Sequence, residues 1–153
     1  MNIFVLDSDP VKAAEYQCDK HVVKMILETA QMLCTAIHET GGNAHYKSTH
    51  RNHPCTIWAR KSKGNFAWLK THGLALCKEY NKRYGKVHKS QAVIEECLDL
   101  TIPDGCKTNF ALAMPDYCKV DNVVDSYRNY YLKEKSNIAK WKLGNKPDWF
   151  LIE

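Results

Sequence analysis

A long amphipathic segment, residues 18–40, constrains the fold of this chain more than any other feature. Its apolar residues recur three or four positions apart, which is typical of a helix with one broad buried stripe. The stripe consists of Val22, Val23, Ile26, Leu27, Ala30, Leu33, Cys34 and Ile37. Gly41-Gly42 follows and predicts the end of the helix. A stripe this wide predicts burial over most of the helix circumference.

Start and stop signals predict further helices. Ser8-Asp9-Pro10 joins a capping side chain to a proline that needs no N–H partner in the first helical turn. It predicts a helix through Tyr16, either separate from the long helix or continuous with it. The other predicted helices cover residues 54–58, 66–84, 90–100 and 122–141. Strict alternation, the strand pattern, occurs only in residues 2–6, so the sequence predicts an all-α fold.

The predicted helices leave one long loop, residues 101–122, and an apolar tail, residues 146–150. A loop of this length in a small domain usually has a function or is packed by its own side chains. We expect the tail to dock on the core. Since there is no repeat, low-complexity tract or linker, we predict a single compact helical bundle spanning residues 1–153.

Composition narrows the class of protein. The 153 residues are 44% hydrophobic and 25% charged, which is typical of a globular domain. No apolar run approaches the roughly 20 residues that span a bilayer, and Asp7 and Asp9 come too early for a signal peptide. Seven cysteines without a CxxC pair favour a reducing compartment. We therefore expect a cytoplasmic protein with no membrane partner.

Positive charge is concentrated in residues 46–89. This segment has eleven Lys or Arg residues and one acid, Glu79, whereas the rest of the chain has eleven basic and sixteen acidic residues. Such a patch attracts polyanions, although solvated helix faces have the same composition. It favours a phosphate-bearing partner, either DNA or a small nucleotide.

The long helix carries a polar line beside its apolar stripe. His21, Lys24, Glu28 and Gln31 project from one side, because they lie three or four positions apart. An ordinary surface stripe has the same spacing. Burial would instead shift the pKa values of these groups, as in many active sites, so Glu28, His21 and Lys24 are the candidate catalytic residues.

Donor groups precede the helix that begins at Pro54. A helix N-terminus favours anions, and the side chains in front of this one are His50, Arg51, Asn52 and His53. Basic residues then alternate with aromatic ones, a pattern in which cations hold phosphates and rings stack on bases. These further candidates are Trp58, Arg60, Lys61, Lys63 and Trp68. Core packing is the alternative interpretation of the two tryptophans.

A metal site is the weaker interpretation of the cysteines and histidines. Cys18-x-x-His21 and His50-x-x-His53-x-Cys55 contain zinc-ligand residue types. Their spacing is not that of a zinc finger or ribbon, and buried cysteines usually act as small apolar residues. We expect no metal and no cofactor.

Several runs carry a resemblance across nearly the whole chain. They are Asp7-x-Asp9-Pro10, Cys18-Asp19-Lys20-His21-Val22-Val23-Lys24-Met25, Asn52-His53-Pro54-Cys55 and Pro147-Asp148-Trp149-Phe150. These runs resemble a group of uncharacterised phage-encoded proteins of similar length, which would imply a host-cell cytoplasmic location. In the order and size of its parts, the chain also resembles the phage endonuclease V family of pyrimidine-dimer DNA glycosylases. That family is small, basic and all-helical.

The second resemblance implies roles for particular residues. The family has an acidic catalytic residue on its first long helix, a basic DNA-facing middle and a Pro-x-Trp-aromatic segment near the C-terminus. Here these parts correspond to Glu28, to His53 with the following helices, and to residues 147–150. The family also uses the α-amine of a threonine exposed by removal of the initiator methionine. Asn2 is too large for efficient removal, so the amine here belongs to Met1.

The resulting hypothesis is an N-glycosidase-like enzyme acting on DNA or a nucleotide. Glu28 would stabilise an oxocarbenium-like transition state or activate water, and His21 or Lys24 would tune Glu28 or protonate the departing base. On duplex DNA the base must be extruded, and Trp58 or Trp68 would stack on it. The alternative hypothesis is a non-catalytic binder of nucleic acid or of a small signalling nucleotide.

Overall fold

The computed structural model describes residues 1–152, and within this range it contains helices and no strand. A 3₁₀ turn, Asp116–Cys118, interrupts the long loop. The helices are α1 Pro10–Tyr16, α2 Asp19–His38, α3 Pro54–Lys61, α4 Lys63–Tyr84, α5 Gln91–Glu96 and α6 Val123–Glu134. The predicted all-α class is confirmed.

Local capping explains where several helices begin and end. The Asp9 side chain accepts hydrogen bonds from the backbone N–H groups of the first turn of α1, Ser62 caps α4 and Asn122 caps α6. Gly85 ends α4 in the left-handed conformation, with φ of 66°, which glycine adopts without steric cost. Helices α1 and α2 are separate because Gln17 and Cys18 are extended between them.

Two helices are shorter than predicted. Helix α5 ends at Glu96 because Cys97 is extended, and α6 ends at Glu134, well before Trp141. Residues 2–6, despite their alternation, form a buried segment with no strand partner within the described residues. Phe4 in this segment has a φ of 54°, a conformation that a bulky residue adopts only when its surroundings hold it.

Helices α2 and α4 cross at the centre of the core. A Cβ atom at Gly73 of α4 would lie 2.7 Å from the Thr29 methyl group of α2, so glycine permits the close approach. Helix α1 packs on the same helix α4. The predicted apolar stripe of α2 is buried at Val22, Ile26, Ala30, Leu33, Cys34 and Ile37, mainly against α3, α4 and the N-terminal segment. Val23 and Leu27 are exposed, so the predicted stripe is too wide on that side.

The loop and tail complete the core, as expected for segments packed by their own side chains. Phe110 of the loop packs on Trp58 and Trp68 with ring centroids 5.3 Å and 4.9 Å away. In the tail, Phe150 is buried against Trp141. All seven cysteines are free thiols. Among the described residues, no helix is both long enough and apolar enough to span a membrane.

Candidate active site

Glu28 of α2 meets the start of the chain. Its carboxylate oxygen Oε1 lies 3.4 Å from the α-amine of Met1 and accepts a 3.1 Å hydrogen bond from the backbone N–H of Asn2. The other oxygen, Oε2, lies 3.7 Å from Lys24 Nζ. One carboxylate is therefore held between an α-amine and a lysine ammonium, and Lys24 and Glu28 are brought together as the helical spacing predicted.

The site is reachable from solvent on one side. The Glu28 side chain retains 11% of its exposure and that of Lys24 retains 71%. The Met1 side chain is only 2% exposed, yet the residue as a whole is half-buried. The accessible part of Met1 is therefore its main chain, which includes the amine.

His21 lies deeper than Lys24 and Glu28. Its ring stacks on Phe4 with centroids 4.2 Å apart, and Nδ1 forms a 2.6 Å hydrogen bond with the Tyr131 hydroxyl. Burial, together with the charges of Lys135 and Lys24, lowers the pKa of His21 to about 4. At neutral pH this imidazole is uncharged, and its Nδ1 is occupied by Tyr131.

The loop between α2 and α3 runs along the same side of α2. The backbone N–H of Thr49 donates to the Thr35 hydroxyl at 3.0 Å, and the His38 ring bonds the Tyr46 carbonyl at 2.9 Å. A cleft of about 400 Å³ lies between loop and helix. Its lining residues are Leu27, Gln31, Tyr46, Lys47, Ser48 and Thr49. Leu27 and Gln31 lie one and three positions from Glu28 on α2, and Glu28 itself is not among the lining residues.

His53 ends this loop as the N-cap of α3. Its Nδ1 accepts a 3.1 Å hydrogen bond from the Cys55 N–H, so the neutral ring carries its proton on Nε2. Burial lowers the pKa of His53, and the positive charges of the Met1 amine and His50 lower it further, against the opposite effect of Glu28. A neutral hydrogen-bond donor is thus placed near the amine and the carboxylate.

The basic candidates fall into two groups. His50, Arg51, Asn52 and Lys61 are exposed. Arg60 is half-buried and donates to the Arg51 carbonyl at 2.7 Å, while Lys63 pairs with Asp104 at 3.1 Å. Part of the positive charge of residues 46–89 therefore supports the structure.

Arg83 is the clearest case of structural charge in this segment. It is buried and bonds Glu79 and Asp19.

Both candidate tryptophans lie in the core. Trp58 is 4% exposed and Trp68 is 7% exposed, and the two rings pack edge to face at 6.0 Å. Trp68 Nε1 donates to the Ser8 carbonyl. The core-packing interpretation describes their position, and stacking on a base would require the core to open at Phe110.

The cysteine and histidine candidates for a metal are engaged in other contacts. The Cys18 thiol contacts the Tyr131 hydroxyl at 3.6 Å, and burial raises the pKa of Cys55 to about 11. Within residues 1–152, no group of three or more His, Cys, Asp or Glu side chains is arranged to hold a metal ion.

No pattern in the sequence predicts the contacts made by Asn2 and Tyr131. In the sequence, residue 2 is notable only for its size, and Tyr131 fits a core position. Their partners lie far away in the chain, at Glu28, Ala113 and His21. Only the burial of residues 3–6 brings the chain start to the long helix.

The comparisons with known proteins agree with the resemblance. A family model described as pyrimidine dimer DNA glycosylase matches residues 1–92, more than half of the chain. Neither the curated proteins nor the solved structures gave a match. The match supports a DNA glycosylase-like function with DNA as the partner, and the chain belongs to the pyrimidine dimer DNA glycosylase family.

Proposed function

We propose that the protein is a DNA N-glycosidase in which the Met1 α-amine and Glu28 act together. The observation that carries the proposal is the 3.4 Å contact between the amine nitrogen and Glu28 Oε1. A nucleophile and a proton acceptor within reach of each other form the usual arrangement for covalent catalysis. The accessible main chain of Met1 leaves room for a sugar carbon to approach.

The proposed chemistry begins with the uncharged amine. Its lone pair attacks C1′ of the target nucleotide, the N–C1′ bond forms, and the glycosidic bond breaks with its electron pair leaving on the base. The amine loses a proton to Glu28, and the base gains one. The C1′–O4′ bond then opens, the nitrogen lone pair forms the C1′=N bond, and O4′ takes a proton, which gives the imine that borohydride reduces. Carboxylates in sugar hydrolysis likewise stabilise positive charge that develops at C1′, so Glu28 serves the transition state as well as the proton.

Lys24 is the favoured proton donor to the departing base. It is charged, exposed and next to Glu28 Oε2, whereas the low pKa of His21 leaves that ring uncharged at neutral pH. We assign His21 a supporting role through Phe4, which it stacks on. The Nε2 donor of His53 is placed to bond a sugar or phosphate oxygen.

Phosphate binding is proposed for the exposed loop and α3. His50, Arg51, Asn52 and Lys61 offer donors toward solvent, and Arg60 supports them through the Arg51 carbonyl. Lys63 would contribute once released from Asp104. Extrusion of the base on duplex DNA remains part of the proposal.

The second candidate function is non-catalytic binding of a small nucleotide. The cleft of about 400 Å³ favours it, because Lys47, Ser48 and Thr49 offer phosphate donors beside the apolar Leu27. The salt dependence of binding distinguishes the two partners. Affinity for long DNA falls steeply with salt concentration, and Arg51→Ala should reduce the slope of log affinity against log salt concentration by about one phosphate contact. A closed nucleotide pocket should give a shallow slope.

The test of the enzyme is Glu28→Gln on a duplex containing one pyrimidine dimer. We expect base release and borohydride trapping of the covalent adduct to slow by about 10²- to 10⁴-fold, with DNA affinity within about threefold of the unsubstituted protein. The matched control is Glu134→Gln, which changes the same charge at an exposed position. Full activity of Glu28→Gln, or an adduct that does not map to Met1, would contradict the proposal.

A further inference from the structure

Asn2 connects the α-amine, Glu28 and the long loop. Its side-chain Oδ1 accepts hydrogen bonds from the N–H groups of Ile3 at 2.8 Å and Phe4 at 3.0 Å. Its Nδ2 donates to the Ala113 carbonyl at 2.8 Å, and its backbone N–H donates to Glu28 Oε1. Asn2 itself is 8% exposed. Every polar group of this side chain is therefore used to fix the first turn of the chain.

We propose that Asn2 is a positioning residue that holds the Met1 α-amine against Glu28. The inference rests on the proposed function, because it names the residue that places the proposed nucleophile. Asn2 touches no reacting atom with its side chain. It acts on the amine through the peptide bond that follows Met1 and through the turn that it closes.

A chain terminus without specific contacts is free to move. A terminal residue loses conformational entropy when it is held in one place, so an ordered amine requires specific contacts. The Asn2 Oδ1 atom closes a tight turn by accepting from the next two N–H groups, as asparagine does in local turns. That turn also supports Phe4 in its left-handed conformation.

The Nδ2 end of the Asn2 side-chain amide is bonded to the long loop. Ala113 accepts from Asn2 Nδ2 and donates its own N–H to the Tyr127 hydroxyl at 3.2 Å. Tyr127 in turn donates to the Ala111 carbonyl at 2.6 Å and is fully buried on α6. The turn around Asn2 is therefore tied to the long loop and, through it, to α6.

Position 2 requires a side-chain amide. Asparagine donates from Nδ2 and accepts at Oδ1 at the same time. A carboxylate has no donor for the Ala113 carbonyl, and it would add negative charge beside Glu28. Leucine has a similar size but provides neither donor nor acceptor.

The experiment uses the full chain with Asn2→Asp, Asn2→Leu and the remote variant Tyr127→Phe. Both residue-2 substitutions keep a bulky second residue, so Met1 should be retained, which intact mass verifies. The control is Asn109→Asp, the same chemical change at an exposed loop position. Circular dichroism establishes that each variant is folded, and Tyr127→Phe provides the test should the residue-2 variants not fold.

The first readout does not depend on catalysis. Acetic anhydride at limiting concentration labels the Met1 amine, and peptide mass spectrometry gives the rate relative to the exposed lysines. We expect labelling to become about 5- to 10-fold faster in Asn2→Asp and Asn2→Leu, less so in Tyr127→Phe, and unchanged in Asn109→Asp. Equal rates in all folded proteins would overturn the positioning role.

The second readout is borohydride trapping on DNA with an abasic site. We expect Asn2→Asp to lower kcat by about 10- to 100-fold with KM nearly unchanged, because a misplaced nucleophile slows the chemical step. An unchanged kcat would also overturn the positioning role. If the unsubstituted protein forms no adduct while the Asn2 variants are labelled faster, the proposed function is rejected. Asn2 is then still the residue that orders the amine.

Discussion

Residues 1–92 and residues 93–152 contribute differently to the candidate site. The first region, which the family model matches, contains the Met1 amine, Lys24, Glu28 and the basic loop. The second contains a long loop, the short helix α6 and the tail. The second region contacts the site through supporting groups, such as the Ala113 carbonyl at Asn2 and the Tyr131 hydroxyl at His21. The proposed reacting groups therefore lie in the first region, and the second region adds supports to those, such as Asn2, that the first region itself provides.

The region that the family model matches, residues 1–92, does not complete its own hydrophobic core. Phe4 packs edge to face on Tyr131 at 5.7 Å, and Trp68 packs on Phe110. These contacts bury aromatic surface that would otherwise face water, and burying one large aromatic side chain contributes about 2–3 kcal/mol. We expect the two regions to fold as one unit, and three predictions test how strong this dependence is.

The largest effect is expected on shortening the chain. A protein ending at residue 92 loses Tyr131, which packs on Phe4 and His21, and Phe110, which packs on Trp58 and Trp68. We therefore expect no cooperative thermal transition by circular dichroism. The full chain measured under the same conditions is the control. A sharp transition in the shortened protein would show that the matched region is a complete folding unit. It would contradict the expectation that the two regions fold as one unit.

A smaller but specific effect is expected for Tyr131→Phe. The substitution leaves His21 Nδ1 and the Cys18 N–H without the hydroxyl that both contact. A buried polar group without its partner costs about 1–3 kcal/mol, so urea unfolding should show a loss of about 2–4 kcal/mol. Tyr130→Phe is the matched control, since its half-buried ring stacks on the same Phe4. Equal losses in both variants would mean that the Tyr131 hydroxyl gives no particular support.

The smallest effect concerns how the free energy of unfolding changes with pH. It compares His72, whose Pro10, Gln17 and Trp68 contacts lie in the matched region, with His21, which contacts Tyr131 of the second region. Burial lowers the pKa of His72 to about 4, against the opposite effect of the Pro10 and Ile3 backbones. Its ring bonds the Pro10 carbonyl and the Gln17 amide and stacks on Trp68. Between pH 6.5 and 4 the unfolded chain binds a proton at this position and the folded protein does not. The free energy of unfolding must therefore fall as the pH decreases through this range.

Urea unfolding at pH 7 and pH 4.5 measures this loss. We expect His72 to account for about 2–3 kcal/mol of it, because one pKa unit corresponds to 1.36 kcal/mol. In His72→Asn the pH-dependent loss should shrink by that amount, and in His21→Asn by a similar amount. A pH dependence unaffected by either substitution would show that these rings are protonated in the folded state.

Much of the helical framework was predictable from local signals. Asp9-Pro10, Asn122 and Gly85 act within one helical turn, so their effect on helix ends can be read from neighbouring residues. The start of α4 was predicted at residue 66, three residues late, because Ser62 caps a helix that begins at Lys63. The ends of α5 and α6 were overestimated, because they depend on where the following chain packs. Residues 2–6 alternate like a strand but are buried against helices, since no second strand is present within the described residues to pair with them.

The candidate site was predictable in part for the same reason. Helical periodicity placed Lys24 and Glu28 together, and the tail ending at Phe150 docked on the core as its apolar composition indicated. Periodicity also placed His21 on their side, but it could not predict that Phe4 and Tyr131 would cover the ring. The patterns around Trp58 and Trp68 allowed both stacking and core packing, and only the position of Phe110 distinguishes them.

The sequence by itself determined the helices, the polar line on α2 and the basic loop ahead of Pro54, because each depends on residues close together in the chain. The tertiary structure alone decided that the Met1 amine lies 3.4 Å from Glu28 and that Asn2 is tied to Ala113. These contacts join residues that are 27 and 111 positions apart in the chain. Such pairs form through burial of the N-terminal segment and docking of the long loop, which no local pattern encodes.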